Sequence, residues 1–131
     1  TTLFRSPYRY QKINVADSLL HRNSLLHCII DIANTRSEFP EIGVAPFRLI
    51  NIDSDAVLGI YYETDTRSIL TFVNFSDKPV NFTARGIRHA TWTACLADKR
   101  YNDALVCGKT VALNLSGYGY RWFWTDRTAL R

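Results

Sequence analysis

The spacing of the apolar residues changes near Pro40, and this change divides the chain into a helical part and a β-rich part. In the first part the apolar residues recur at helical spacing, which predicts a helix from Asn23 to about Ser37. Asn23 or Ser24 can cap the start of this helix, and Pro40 ends it. Its apolar face consists of Leu25, Leu26, Ile29, Ile30 and Ala33. A short helical turn is also expected between Asp17 and His21.

From Phe47 onward, apolar and polar residues alternate in short runs that are separated by turn signals such as Asp53-Ser54-Asp55. About seven strands at this spacing indicate an antiparallel β-sandwich or barrel. The predicted strands are Phe47–Ile52, Ala56–Thr64, Arg67–Phe75, Val80–Thr83, His89–Leu96, Lys109–Leu115 and Tyr118–Trp124. We therefore predict a mainly β protein with an N-terminal α-helix, divided into a helical segment over 1–43 and a β-sandwich domain over 44–131.

The closing strand places four aromatic residues, Tyr118, Tyr120, Trp122 and Trp124, on one face. This row has two interpretations. It is either the core of the sandwich, because large rings dominate protein cores, or a platform on which a sugar ring stacks, with Arg121 or Asp126 at its rim. We favour the core interpretation, with Trp124 near the strand end as the exception. The candidate carbohydrate-binding residues are Trp124, Tyr118 and Tyr120.

The composition of the chain limits which classes of partner we expect. With 131 residues, 47% of them hydrophobic and 13% aromatic, the chain is long and apolar enough to bury a core. Its formal charge of +4 is scattered among acidic residues, so we expect no nucleic-acid partner. No apolar run approaches the roughly 20 residues that span a bilayer, so we expect no membrane partner. The three cysteines favour thiols in the cytoplasm, although a bridge between Cys95 and Cys107 stays open.

No group of residues has the pattern of a catalytic or metal site, so we predict no catalytic residue, no cofactor and no metal ligand in this chain. Two pairs of aspartates could be interpreted as calcium ligands, namely Asp53 with Asp55 and Asp98 with Asp103. They lack the spacing of a calcium loop, and turn formation is the better explanation. His89 and Cys95 would be roughly 20 Å apart along one strand, too far apart to act as a nucleophile and base.

The order of these elements resembles the C-terminal end of the α-amylase family, glycoside hydrolase family 13, and most closely its trehalose synthase or maltose glucosyltransferase branch. Four segments carry the resemblance. Tyr10-Gln11-Lys12-Ile13-Asn14-Val15 is similar to the loop after the eighth barrel strand. The segment from Asn23 to Pro40, which contains the predicted helix, is similar to the eighth barrel helix. The runs Val57–Tyr62 and Leu70–Ser76 are similar to the opening strands of the C-terminal β-sandwich domain, and Tyr118–Trp122 to its final strand.

The resemblance implies a parent enzyme that hydrolyses, isomerises or transfers α-linked glucosyl units by a retaining mechanism. The family's three catalytic carboxylates lie on its (β/α)8 barrel, and no residue of this chain matches them. By itself the chain should therefore be inactive, with the catalytic barrel as its missing partner and an α-glucan as a further one. Without barrel strands to cover it, the apolar face of the helix, Leu25, Leu26, Ile29 and Ile30, either folds back on the sandwich of its own chain or pairs with another copy, and we favour a homodimer. The alternative is a free-standing carbohydrate-binding or interaction module.

Overall fold

A computed structural model describes residues 15–20, 24–101, 103, 105–108 and 110–127. The predicted loop over 10–15 lies, apart from Val15, outside these residues. The chain forms two compact units, Thr1–Glu38 and Phe39–Arg131, and each is considered by itself. Within the described residues, no helix combines the length and the apolar character needed to cross a membrane.

The first unit contains two helices, α1 over Val15–Leu20 and α2 over Leu25–Glu38. Ser24 caps α2, since its Oγ accepts a hydrogen bond from the backbone N–H of His27 at 3.3 Å, whereas Asn23, the other possible cap, lies outside the described residues. The predicted helix is thus confirmed. On its apolar face Leu25 and Ile29 are exposed, whereas Leu26 and Ile30 are half-buried.

The second unit is a two-layered antiparallel β-structure, as predicted. A six-stranded sheet has the order β1-β3-β4-β9-β6-β7, and a three-stranded sheet has the order β2-β5-β8. The described strands are β1 Phe47–Leu49, β2 Asn51–Ile52, β3 Val57–Glu63, β4 Arg67–Asn74, β5 Val80–Arg85, β6 Ala90–Ala97, β7 Leu105–Cys107, β8 Thr110–Leu115 and β9 Tyr120–Asp126.

The single strand predicted from Phe47 to Ile52 is in fact two strands. The chain breaks at buried Ile50, after which it leaves the six-stranded sheet: β1 pairs with β3, and β2 pairs with β5. At Gly108 the chain again passes from the edge of one sheet to the edge of the other, here from β7 of the large sheet to β8 of the small one. These two crossings join the layers at their edges, as is common where strands turn the corner of a sandwich.

The core lies between the two sheets. Strand β8 shows the predicted alternation, because Val111, Leu113 and Leu115 are buried and the residues between them are exposed. The ring of Phe72 packs against Phe82 of the small sheet, with 5.5 Å between ring centroids. The buried cluster consists of Ile50, Tyr61, Leu70, Phe72, Phe82, Ala84, Ile87, Ala90, Trp92, Val111, Leu113, Leu115 and Phe123.

Strand register decides the question of a disulfide. Cys107 of β7 lies opposite Ala90 of β6, whereas Cys95 lies five residues further along β6. At the rise of a β-strand this separation is about 16 Å. A disulfide needs Cα atoms within about 7 Å, so Cys95 and Cys107 do not pair.

Candidate functional site

Strand β9, the closing strand, has Phe123 on the face that points into the core. This is the opposite face from the one that the sequence favoured. Phe123 is 1% exposed and belongs to the core cluster, whereas Tyr120, Trp122 and Trp124 are half-buried on the outer side of the six-stranded sheet. The core interpretation of the Trp122 row was therefore wrong. Direct pairing of Trp124, Trp122 and Tyr120 with Ile69, Thr71 and Val73 of β4 places all six side chains on this outer face.

Arg121 explains why the strand has this orientation. Only 3% of its side chain is exposed, and its guanidinium donates two hydrogen bonds to the carboxylate of Asp103, at 2.8 and 3.1 Å. The same guanidinium lies 4.2 Å from the ring centroid of Tyr101 and 5.0 Å from that of Phe123. The hydrogen bond from Arg121 lowers the pKa of Asp103. Arg121 is thus part of the inner layer and not the rim of a sugar platform.

Asp98 has a structural role of the same kind. Its carboxylate accepts hydrogen bonds from the Tyr101 hydroxyl at 2.8 Å, from the Ser116 hydroxyl and from the backbone N–H of Tyr120 at 3.1 Å. Burial raises the pKa of Asp98, but these donors, of which Ser116 has the largest effect, outweigh burial and hold the pKa below its usual value. In the described part of the chain, no group of three or more His, Cys, Asp or Glu residues could hold a metal ion.

At one end of β9, Trp124 lies in a groove of about 580 Å³. The groove combines an aromatic ring with acidic and hydroxyl groups, which is the combination that binds sugars by stacking and hydrogen bonding. Its lining consists of Trp124, Glu41, Asp65, Thr66, Arg67 and Asp126.

An ion pair makes one wall of this groove rigid. Arg67 binds Glu41 in a bidentate manner, with Nε to Oε1 at 2.5 Å and the second nitrogen to Oε2 at 2.8 Å. The hydrogen bond from Arg67 lowers the pKa of Glu41. Arg67 also lies over the ring of buried Phe39, at 4.5 Å from its centroid, and the Phe39 ring is 6.3 Å from that of Trp124. The segment that follows α2 is therefore held on the sandwich by Phe39 and Glu41.

Tyr118 lies at the opposite end of β9. It is 67% exposed and has a left-handed backbone with φ of 52°, a conformation that is costly for an aromatic residue. Trp124 lies six residues away, which is about 20 Å along a strand. Tyr118 and Trp124 therefore cannot contact the same sugar ring, although Tyr118 and Tyr120 lie close enough in sequence to form a site of their own.

The exposed large apolar side chains of the sandwich have a one-sided distribution. Phe47 and Leu49, each 64% exposed, and Leu58 share the outer face of the six-stranded sheet with the aromatic row, because ladder pairing links them through Tyr62, Ile60 and Val73. Exposed Phe75 and Tyr118 follow at adjoining turns, where Tyr118 N–H donates to Ser76 O at 2.8 Å. Among the described residues, no exposed large apolar side chain lies on β2, β5 or β8.

Comparison with known proteins shows what this architecture is similar to. A family model described as "sucrose hydrolase-like, C-terminal domain" matches residues 67–124, which run from β4 through β9. Over these residues the β unit resembles the C-terminal domain of sucrose hydrolase-like proteins. The resemblance to glycoside hydrolase family 13 is thereby confirmed. A search of curated protein sequences found no match.

Several solved structures share this fold over most of the chain. The trehalose-6-phosphate hydrolase of Bacillus licheniformis matches 93% of this chain with a TM-score of 0.71 and 16% identity. The α-amylase of H. orenii matches 92% with a TM-score of 0.70 and 16% identity. The trehalulose synthase MutB of Pseudomonas mesoacidophila MX-45 matches 88% with a TM-score of 0.68 and 16% identity. At this identity the likeness shows the fold alone, and the chain covers 22%, 24% and 20% of those three chains.

Proposed function

We propose that this chain is the non-catalytic C-terminal part of an enzyme that acts on α-linked glucosides, and that its sandwich stabilises the catalytic barrel. The outer face of the six-stranded sheet would be the docking surface. The observation that carries this proposal is the one-sided exposure of Phe47, Leu49 and Leu58 beside the aromatic row of β9. Contiguous apolar surface of this kind marks an interaction site in a folded domain.

The comparisons support the same proposal. The matched structures are a hydrolase, an amylase and a synthase of glucoside chemistry, and each is about four to five times longer than the part that this chain resembles. Several carboxylates of this chain already bind structural donors: Asp98 binds Tyr101, Asp103 binds Arg121 and Glu41 binds Arg67. The chemistry of the parent, whether hydrolysis, isomerisation or transfer, would belong to the barrel.

The test compares one substitution in two settings. Phe47→Ser should change the stability of the isolated chain by no more than about 0.5 kcal/mol, because the side chain is exposed there. In the full-length enzyme encoded by the surrounding reading frame, the same change should cost about 1.5 to 3 kcal/mol, the value of a Phe side chain buried in an interface. Chemical denaturation measures both values.

Arg85→Ser provides the control, because Arg85 is exposed on the three-stranded sheet. It should be neutral in both settings. Equal effects of Phe47→Ser in the isolated chain and in the full-length enzyme would contradict docking through this face. The isolated chain should also show no turnover of maltose, sucrose or α-1,4-glucans, whereas the full-length enzyme should turn over an α-glucoside.

The groove at Trp124 favours a second candidate, a free-standing carbohydrate-binding module. In this case the ring of Trp124 would stack on a glucosyl unit whose hydroxyls bind Asp126 and Asp65, and Tyr118 and Tyr120 would form a separate contact. Trp124→Ala would then abolish binding of a maltooligosaccharide by the isolated chain, whereas Trp122→Ala, two residues along the same face, would change it little. That result would replace the docking proposal, because a docked face leaves no room for the sugar.

A further inference from the structure

A second groove lies on the other side of the sandwich. It has a volume of about 780 Å³ and crosses the outer face of the three-stranded sheet. Its floor consists of outward-facing residues of β5 and β8, which alternate with the buried core residues of these strands. They are Asn81, Thr83, Ala112 and Asn114. The connection after β6, with Lys99, Arg100, Tyr101 and Asp103, forms one wall, and Asp53 stands at the far end.

The floor of the groove carries amides with unused hydrogen-bonding capacity. Asn81 and Asn114 lie directly opposite each other in the ladder, and both are exposed. Neither side chain makes a hydrogen bond to any described residue, and asparagine is otherwise depleted in strands. Each amide can both donate and accept, so the pair presents four groups for a ligand on a rigid β-surface.

The wall of the groove is rigid as well. The Tyr101 hydroxyl donates to Asp98, and the Arg121 guanidinium lies 4.2 Å from the Tyr101 ring centroid. These contacts hold an aromatic ring beside the amides. Arg100 and Lys99 add cationic donors, whereas Asp53 and Asp103 add carboxylate acceptors, so the groove has both signs of charge.

We infer that this groove is an α-glucan binding surface remote from the catalytic domain. Balanced charge disfavours an anionic or cationic ligand, whereas interspersed donors and acceptors suit the hydroxyls of a neutral sugar. The groove crosses strands that lie about 4.8 Å apart, so its length accommodates two or three glucosyl units. The inference rests on the proposed function, in which the opposite face with Trp124 is covered by the barrel and the three-stranded sheet stays exposed.

Binding of maltoheptaose to the isolated chain, followed by NMR titration, tests the inference. Asn81→Ala with Asn114→Ala should weaken binding about tenfold, since two or more hydrogen bonds are lost. Ala112→Lys should also weaken it, because the long side chain fills the floor of the groove. Thr110→Lys is the matched control, since it adds the same side chain to the same strand face outside the lining, and it should leave the affinity unchanged.

Two outcomes would overturn the inference: no shift of any resonance with maltoheptaose, or binding that survives the double alanine variant and is lost in Trp124→Ala. The docking proposal is measured separately, by the stability of the full-length enzyme with Phe47→Ser. A chain that docks and binds no maltoheptaose would therefore disprove only the groove, and a chain that fails to dock would disprove the proposed function.

Discussion

The Asn74 side chain donates a hydrogen bond to the backbone carbonyl of Ser116 at 2.9 Å, and this contact joins two turns that are 42 residues apart. The same amide donates to the carbonyl of Lys78, and its Oδ1 accepts from the N–H of Ser76. Asn74 is 1% exposed, so these bonds form where water cannot replace them. The end of β4 and the entry to β9 are thus held by one buried amide.

Replacement of this amide should be costly. Asn74→Ala removes three hydrogen bonds that involve a buried amide and leaves two carbonyls and an N–H without this partner, so we expect a loss of about 2 to 4 kcal/mol in the free energy of unfolding. Urea denaturation measures the change. Asn81→Ala is the matched control, because Asn81 is exposed, and it should cost no more than about 0.5 kcal/mol. Equal costs for the two variants would show that the Asn74 bonds contribute no net stability.

The turn before β9 should be improved by removing a side chain. Tyr118 has a φ of 52°, a region where non-glycine residues lose about 1 to 2 kcal/mol. Tyr118→Gly should therefore raise the stability by about 1 kcal/mol, whereas Tyr118→Ala should not, because alanine has the same steric conflict. Gly117→Ala should be destabilising, since its Cβ would collide with the carbonyl of Asp77. A stabilising Tyr118→Ala would show that ring exposure and not backbone strain determines the effect.

The inward face of β9 can be tested by a pair of neighbouring substitutions. Phe123→Ala should cost about 3 to 5 kcal/mol in the isolated chain, because it leaves a cavity in the core. Trp122→Ala removes a larger ring but should cost about 1 kcal/mol, because that ring is half-buried on the outer face. Thermal or urea unfolding of the two variants decides between the faces. A larger loss of stability in Trp122→Ala than in Phe123→Ala would restore the core interpretation of the Trp122 row.

Acid should destabilise the sandwich in a predictable direction. The pKa values of Asp103 and Glu41 are lowered in the folded state by hydrogen bonds from Arg121 and Arg67. Their contribution to stability is therefore fully present above the unfolded pKa values of about 4, and it is lost as the pH falls through the lower folded values. Urea midpoints measured from pH 7 to pH 2 should decline below about pH 4.

Asp103→Asn should make this decline shallower, and Asp55→Asn serves as the control because Asp55 is an exposed turn residue with no ion pair among the described ones. An unchanged acid profile in Asp103→Asn would mean that the Arg121 pair does not contribute to the pH dependence.

The apolar face of α2 offers a surface for self-association. We expect the isolated chain to form a dimer through the apolar face of this helix, where Leu25 and Ile29 are exposed. Leu25→Glu with Ile29→Glu should give a monomer in analytical ultracentrifugation and leave the β unit folded. Asn34→Glu, at another exposed position of α2, should leave the dimer intact. A monomer at high concentration in the unmutated chain would contradict this expectation.

Local patterns in the sequence were sufficient for the elements whose polar and apolar faces differ. Strand β8 has apolar residues at Val111, Leu113 and Leu115 and small or polar ones between them, so only one face could be buried. Helix α2 begins where Ser24 can cap it and ends before Pro40. In each case the signal lies within a few neighbouring residues, and no distant contact is needed to decide it.

Tertiary structure alone decided the features in which local signals were balanced. Strand β9 carries rings on both faces, so period-two alternation could not select between Phe123 and Trp122. The pairing of buried Arg121 with Asp103, 18 residues away, holds the arginine face inward. The run from Phe47 to Ile52 has the sequence pattern of one strand. In the structure it divides at Ile50, because its first half pairs with β3 and its second half with β5, in different sheets. Long-range hydrogen bonding and packing, which no short window of sequence contains, set both outcomes.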